Sequence, residues 1–200
     1  YYGRRIAKRL SPSINNILIK NFKNFSLDEE ILKNLNSYQY QSLTLNSKFK
    51  KNIIEIGFGD GKHLFGLAQA NKDTHFIGCE VFINGLGKAL KKIVENNLTN
   101  ISLCGLNCLY LLENIKDSSI DKIFIINPDP WEKKRHFKRR LINKEFIALM
   151  YKKIKNGGKV IVTTDSSSYF LSILEIIKSG EIDFEEMVQK MLDKGDELYN

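Results

Sequence analysis

Short apolar runs that alternate with amphipathic segments are the feature that most constrains the fold of this chain. From residue 52 onward, apolar runs predict strands at 53–56, 76–81, 101–104, 122–126 and 159–163. Amphipathic segments predict helices at 62–71, 84–97, 108–115, 141–155 and 167–178, with Gly157 and Gly158 closing the fourth helix. Strands that alternate with helices form a parallel sheet covered on both faces. We therefore predict an α/β fold with a doubly wound, mostly parallel sheet.

Length and charge bound the domain organisation and the class of partner. Two hundred residues with 42% hydrophobic content suit one domain, which we place at 26–200, after a basic arm of limited order at 1–25. The net charge of +8 is concentrated in two clusters, one formed by Arg4, Arg5, Lys8 and Arg9 and the other by residues 133–140. Two separated basic clusters fit a phosphate backbone better than a single small anion. Membrane-surface binding is disfavoured because neither cluster lies on a helix with a broad apolar face.

The cysteines and the hydropathy exclude further classes. Cys79, Cys104 and Cys108 are an odd number without metal-ligand spacing, so we expect buried thiols in the reducing cytoplasm and no metal. No segment approaches the roughly 18 apolar residues that a membrane span requires, so we expect no membrane partner.

A carboxylate between two prolines ends the fourth predicted strand. Proline fixes its own backbone and biases the preceding residue toward extended geometry, so the Pro-Asp-Pro loop (residues 128–130) presents Asp129 rigidly. Trp131 follows, suited either to stack on an RNA base or to anchor the loop. The basic block (residues 133–140) then places six Lys and Arg residues within eight positions. We interpret the combination as a carboxylate aimed at a small target beside cations that hold a polyanion. An ordinary turn before a solvated face is the alternative.

A glycine turn (residues 57–61) follows the first predicted strand. Gly57, Gly59 and Gly61 would let a nucleotide approach the backbone closely. The dinucleotide fingerprint needs its third glycine one position later, where this chain has Lys62. Glu80 ends the second strand, where an acid accepts hydrogen bonds from ribose hydroxyls. A surface acid at a strand end is the alternative.

Two further polar residues define the ligand. Glu55 is a carboxylate within an apolar strand and needs a partner, either the ammonium group of a ligand or a local lysine. Asn107 follows the third strand, where it suits adenine recognition, a helix N-cap, or both. A cationic ligand with a ribose and an amino acid tail, bound without phosphate machinery, is S-adenosylmethionine.

Together these motifs resemble the bacterial tRNA (guanine-N(7)-)-methyltransferase family. The similar segments are 2–5, 55–61, 78–80, 98–100, 127–140 and 164–165 with Tyr169, so the resemblance covers roughly residues 1–178. It implies a Rossmann-like class I methyltransferase that transfers a methyl group from S-adenosylmethionine to N(7) of a guanine in the variable loop of tRNA.

The resemblance also assigns site residues. It implies that Asp129 is catalytic and that Glu55, Glu80, Asn107 and Asp129 contact the methyl donor. It implies that Lys133 and Asp165 engage the guanine. The residues implied in RNA contact are Arg135, His136, Lys138, Arg139 and Arg140.

Two departures from the family pattern leave alternatives open. The family usually has Asp at the position of Asn107, and a C-terminal Thr-x-x-Glu segment finds no counterpart in residues 180–200. A catalytically impaired tRNA-binding protein of the same fold is therefore the alternative. An NAD-type oxidoreductase is disfavoured by the glycine spacing. The oligomeric state does not follow from the sequence.

Overall fold

The computed structural model describes residues 10–36, 42–43, 45 and 48–178. Its strands are β1 Lys51–Ile56, β2 Thr74–Cys79, β3 Ile101–Cys104, β4 Ile120–Ile126 and β5 Ile154–Thr163. Its α-helices are α1 Pro12–Phe25, α2 Asp28–Leu35, α3 Lys62–Ala70, α4 Ile83–Glu95, α5 Cys108–Asn114, α6 Lys144–Lys153 and α7 Ser167–Lys178. A 3₁₀ helix spans Lys134–Arg139.

The sheet has the order β3-β2-β1-β4-β5, and the paired strands are all parallel. This confirms the predicted doubly wound α/β class. The chain builds outward from β1 through β2 to β3 and then returns to the other side of β1 for β4. Ligands of open parallel sheets bind beyond the carboxyl ends of the strands at such a reversal.

The core lies on both faces of the sheet because the strands are apolar on both sides. Ile54 and Ile56 belong to one buried cluster, which includes Phe146 and Tyr169. The adjacent Ile53 packs against the other cluster, formed largely by α3, α4 and the strands beneath them. Alternating side chains of one strand thus serve two cores, as in sheets covered by helices on both sides.

Helix α1 corrects the prediction of limited order through residue 25. Pro12 occupies the first turn, and the Ser11 hydroxyl accepts a hydrogen bond from the Ile14 amide at 3.3 Å. The helix packs on α4, where Gly87 leaves room for Ile14 and Leu18. The basic residues 4–9 lie outside the described residues, and the division at residues 25 and 26 stays a prediction.

The second correction concerns Gly157 and Gly158. They do not close a helix, because α6 ends at Lys153 and β5 begins at the next residue. The two glycines lie within β5, where the pairing with β4 shifts register between Ile120 and Lys122. Gly157 has a φ of 76°, which glycine adopts without strain.

Cys79, Cys104 and Cys108 are buried free thiols, as predicted. Within the described residues, no helix combines the length and the apolar character that crossing a membrane requires.

The packing of α4 against the glycine turn predicts one strong effect on stability. A Cβ at Gly85 would stand 2.2 Å from the Gly59 carbonyl oxygen, so Gly85→Ala must displace backbone. We expect a loss of about 1–3 kcal/mol in the free energy of unfolding, as for other overpacked sites. Gly66→Ala is the control, because its Cβ would meet nothing within 4 Å in the middle of α3. It should gain about 0.5–1 kcal/mol. Urea denaturation followed by circular dichroism measures both, and equal stability of the two variants would contradict the predicted clash.

Candidate active site at the carboxyl edge of the sheet

A cleft of about 860 Å³ opens at the carboxyl ends of the strands. Gly57 lines it from the end of β1, Glu80 from β2 and Asn107 from the loop after β3. Asp129 and Trp131 line it from the loop after β4. The structure therefore brings together residues from four strands that are separated by more than seventy positions in the sequence.

The glycine turn has the backbone conformation that its residues suggest. Gly57, Gly59 and Gly61 have φ values of 73°, 59° and 73°, in the left-handed region that favours glycine. A Cβ at Gly57 or Gly59 would meet nothing within 4 Å, whereas one at Gly61 would stand 2.7 Å from Ala89 Cβ. Packing therefore requires the third glycine, while the first two are required by backbone conformation and leave open space beside the turn.

Glu80 shapes the turn as well as facing the cleft. One carboxylate oxygen accepts a hydrogen bond from the Gly59 amide at 2.9 Å, and the other accepts one from the Phe82 amide at 2.9 Å. Burial raises the pKa of Glu80; these backbone hydrogen bonds oppose the rise, and the charge of Asp129 adds to it. The acid is therefore more than a surface residue at a strand end, and its ribose contact stays a prediction.

Glu55 pairs with a residue that sequence reasoning missed. Its carboxylate is 3% exposed and lies 2.9 Å from Nδ1 of His63 in α3, and it does not line the cleft. The rings of His63 and Phe124 form a T-shaped pair with centroids 4.9 Å apart. The hydrogen bond that His63 donates to the Glu55 carboxylate raises the pKa of His63. The sequence signal for this pair was a histidine in the first turn of α3, since α3 begins close to the end of β1, which carries Glu55.

Asn107 is the N-cap of α5, as one of its two interpretations predicted. Its side-chain oxygen accepts a hydrogen bond from the Leu109 amide at 3.0 Å. The same oxygen also accepts from the Cys108 thiol at 3.6 Å, so an adenine amine would replace this weak donor. The adenine contact stays a prediction.

The Pro-Asp-Pro loop is anchored at both ends. Asn127 and Trp131 have positive φ values of 46° and 44°, a conformation uncommon for residues other than glycine that clusters at functional sites. The Asn127 amide donates to the Thr163 carbonyl at 3.0 Å, and the Thr163 hydroxyl donates to the Asn127 side chain at 3.2 Å. Asp129 is exposed and faces the cleft from between these anchors.

The 3₁₀ helix covers residues 134–139 of the basic block, and side chains three residues apart share one of its sides because three residues complete one turn. Arg135 and Lys138 are exposed. His136 and Arg139 contact Trp131, with the His136 ring edge-on at 5.8 Å and the Arg139 guanidinium 5.0 Å from the indole. The side chain of Trp131 is therefore held by its own loop, and base stacking stays a prediction. Desolvation and the nearby cations lower the pKa of His136.

Arg140 directly follows the 3₁₀ helix as its C-cap, and its side chain is enclosed by the protein. It is 6% exposed, and its guanidinium lies 3.8 Å from the ring of Phe137 and 4.7 Å from that of Tyr169. Its guanidinium donates four hydrogen bonds within the protein, to Pro130, Ser168 and Ser172. This enclosure disfavours a phosphate contact, and the RNA contact that the resemblance implies for Arg140 stays a prediction.

The two residues predicted to engage the guanine lie at the margin of the site. Lys133 and Asp165 are both exposed, and neither lines the cleft. Asp165 follows β5, the strand beside that of Asp129. Over the described residues, no group of three or more His, Cys, Asp and Glu side chains is placed to hold a metal ion.

Comparisons with known proteins identify relatives of this chain. A family model described as putative methyltransferase (Methyltransf_4) matches residues 49–197, extending beyond residue 178, where we expected the resemblance to end. A bifunctional methyltransferase of Rickettsia prowazekii (strain Madrid E) is 36% identical over 179 residues, covering 90% of this chain and 32% of that protein. The chain thus spans about a third of the length of such bifunctional relatives.

A shorter relative and one solved structure complete the comparison. The tRNA (guanine-N(7)-)-methyltransferase of Wolbachia pipientis wMel is 36% identical over 177 residues, covering 88% of this chain and 74% of that protein. The crystal structure of precorrin-6y C5,15-methyltransferase from Geobacter metallireducens GS-15 has a TM-score of 0.51 at 14% identity. It covers 67% of this chain and 64% of that one, and it shows the shared fold alone.

The pair of Glu55 and His63 predicts a measurable pH dependence. The pKa of His63 is raised in the folded protein, so the pair's contribution to stability is full below the unfolded value of about 6.5 and is lost as the pH rises through the folded pKa. NMR titration of the His63 ring should give a pKa above 6.5, and Glu55→Gln should lower it because the charge is removed. The pKa of His136 serves as the control and should not change. Identical His63 titrations in both proteins would contradict the pairing.

Proposed function

We propose, because the chain belongs to the tRNA (guanine-N(7)-)-methyltransferase family, that it transfers a methyl group from S-adenosylmethionine to N(7) of a guanine in tRNA. One observation carries the proposal: Asp129 and Glu80 face the same cleft, and cationic side chains of the basic block form part of its rim. The two carboxylates suit a cationic methyl donor, and the cationic rim suits a polyanionic methyl acceptor.

The cleft fits the methyl donor in charge and in size. The Asp129 charge helps to raise the pKa of Glu80, so the two carboxylates repel each other across the cleft, and a cationic ligand relieves that repulsion. A cleft of about 860 Å³ lies in the range of small-molecule sites. Glu80 would accept from the ribose hydroxyls, and Asn107 would contact the adenine. The open space beside Gly57 and Gly59 would let the donor approach the backbone.

Glu55 reaches the donor differently from the other acids. It lies behind the cleft lining and is already paired with His63. Glu55 would therefore bind the amino group of the donor only if that ammonium group replaced His63 as the partner of the carboxylate.

Methyl transfer to guanine requires that the reacting groups are placed correctly and that the positive charge developing on the ring is stabilised. The bound donor supplies a methyl group on a sulfonium sulfur. N(7) of guanine has a lone pair and no proton, so transfer requires no general base. The ring becomes cationic as it accepts the methyl group, and a fixed carboxylate lowers the energy of that charge. Asp129 takes this role because the anchored Pro-Asp-Pro loop holds it at the cleft without reorganisation.

The exposed cations of the basic block would hold the tRNA backbone. Arg135 and Lys138 extend into solvent beside the cleft, where they can neutralise phosphates. Lys133 and Asp165, at the margin, would contact the target nucleotide once the RNA is bound. We extend the proposal to a guanine of the variable loop, which an assay of defined transcripts tests.

We expect Asp129→Asn to abolish most methyl transfer while leaving the fold intact. The side chain is exposed, and such substitutions usually change stability by no more than about 0.5 kcal/mol. Loss of an electrostatic stabiliser of a transition state typically costs about a hundredfold or more in rate. Incorporation of labelled methyl groups into unmodified tRNA, at saturating S-adenosylmethionine, measures the rate.

The control for that assay is a transcript whose variable-loop guanine is replaced by adenine. Wild-type turnover of Asp129→Asn would refute the catalytic role. No transfer by the unmutated chain, together with intact tRNA binding, would favour an impaired tRNA-binding protein.

A second prediction concerns the salt dependence of tRNA binding. Replacing Arg135 and Lys138 together with Ala should reduce the slope of log K against log salt by somewhat under one unit for each phosphate that is no longer neutralised. Affinity for the donor should not change. The matched control replaces Lys72 and Lys116, exposed lysines at the amino edge of the sheet, and removes the same charge. Equal slopes for the two double variants would mean that the basic block is only a solvated surface.

A further inference from the structure

Arg140 connects two segments of the chain that are distant in sequence. Its Nε donates to the Pro130 carbonyl at 2.8 Å. Its two terminal nitrogens donate to the hydroxyls of Ser172 at 2.9 Å and Ser168 at 3.0 Å. The planar guanidinium, stacked against two aromatic rings, can reach all three acceptors at once because its donors form a fixed fork. One side chain thus joins the Pro-Asp-Pro loop to α7.

A second charged residue makes a parallel connection. Glu132 accepts hydrogen bonds from the hydroxyls of Ser166 and Ser168, the latter at 2.9 Å, and these bonds lower the pKa of Glu132. The Ser168 hydroxyl therefore accepts from Arg140 and donates to Glu132. We call these residues the loop clamp: Glu132, Arg140, Ser166, Ser168 and Ser172.

The loop clamp joins the two segments that carry the exposed acids of the site. Asp129 immediately precedes Pro130, whose carbonyl is held by Arg140. Asp165 immediately precedes Ser166, which is held by Glu132. No hydrogen bond between the two acids is needed to fix their relative placement, because their neighbours in the chain are cross-linked.

We propose that Arg140 and Glu132 are positioning residues that hold Asp129 in register with Asp165, and that Arg140 does not contact RNA. The catalytic consequence rests on the proposed methyl transfer, whereas the mechanical one does not. Trp131, the single tryptophan of the chain, lies between the two clamped residues Pro130 and Glu132. Its fluorescence therefore reports on this loop alone, without any substrate.

The main test substitutes Arg140→Lys, which keeps the charge and loses the fork. We expect acrylamide to quench Trp131 more strongly, because the loop is released. The single-turnover rate, at saturating donor and tRNA, should fall roughly tenfold to a hundredfold, as displaced catalytic groups do. The salt dependence of tRNA binding should equal that of the wild type. Ser167→Ala is the control, since this exposed serine lies on α7 beside Ser168 and belongs to no part of the clamp. It should match the wild type in all three measurements.

Two gentler variants keep the test decisive if Arg140→Lys fails to fold by circular dichroism. Ser172→Ala removes one acceptor of Arg140, and Glu132→Gln removes the charge that binds the two serines. Each should increase quenching and lower the rate, by less than Arg140→Lys would. Wild-type quenching and rate in both would overturn the proposal.

Two further outcomes separate the explanations. A reduced salt slope with unchanged quenching of Trp131 in Arg140→Gln, which removes the charge that Arg140→Lys keeps, would identify Arg140 as a phosphate contact and overturn the proposal. If the wild-type chain transfers no methyl group to tRNA, the proposed function fails, and the clamp is then supported or refuted by the quenching measurements alone.

Discussion

Parallel pairing of β1 with β2 on one side and β4 on the other decides where the candidate residues of this chain can meet. Because the strands run in one direction, their carboxyl ends share one edge, and the loops that follow them converge there. Glu80, Asn107 and Asp129 are far apart in sequence and line one cleft for this reason. The apolar residues of the strands have no chemical role at the site, yet they set its geometry.

The strands and most helices could be predicted because their signals are local. An apolar run followed by an amphipathic segment is visible within about twenty residues, and the edge at which acids collect follows from the parallel topology. Helix α1 was not predicted, because its segment is rich in asparagine, and its apolar side chains gain a partner only at Gly87, more than sixty positions away. The place of Gly157 and Gly158 likewise depends on pairing with β4, which no local pattern reveals.

The contrast between Arg139 and Arg140 shows where residue-level prediction ends. The two are adjacent and chemically identical, and both fit a basic surface. One lies over Trp131, and the other is enclosed by Phe137, Tyr169 and α7. The difference depends on where the 3₁₀ helix ends, because Arg139 is its last residue and Arg140 is its C-cap, and tertiary packing sets that end. Glu80 carries a similar lesson, since an acid predicted either for a ligand or for the surface also accepts hydrogen bonds from the Gly59 and Phe82 amides.

The three-sided 3₁₀ helix also has a consequence for how this segment can change during evolution. Each residue of such a helix advances the side-chain direction by about 120°. Exchanging one cation for another within a side leaves the pattern of inward and outward groups intact. Deleting or inserting one residue within the helix would rotate its later side chains by about a third of a turn and would displace Arg140, which directly follows the helix, from its partners. The length of this segment is therefore more constrained than its composition, so related sequences should tolerate substitution here far more readily than gaps.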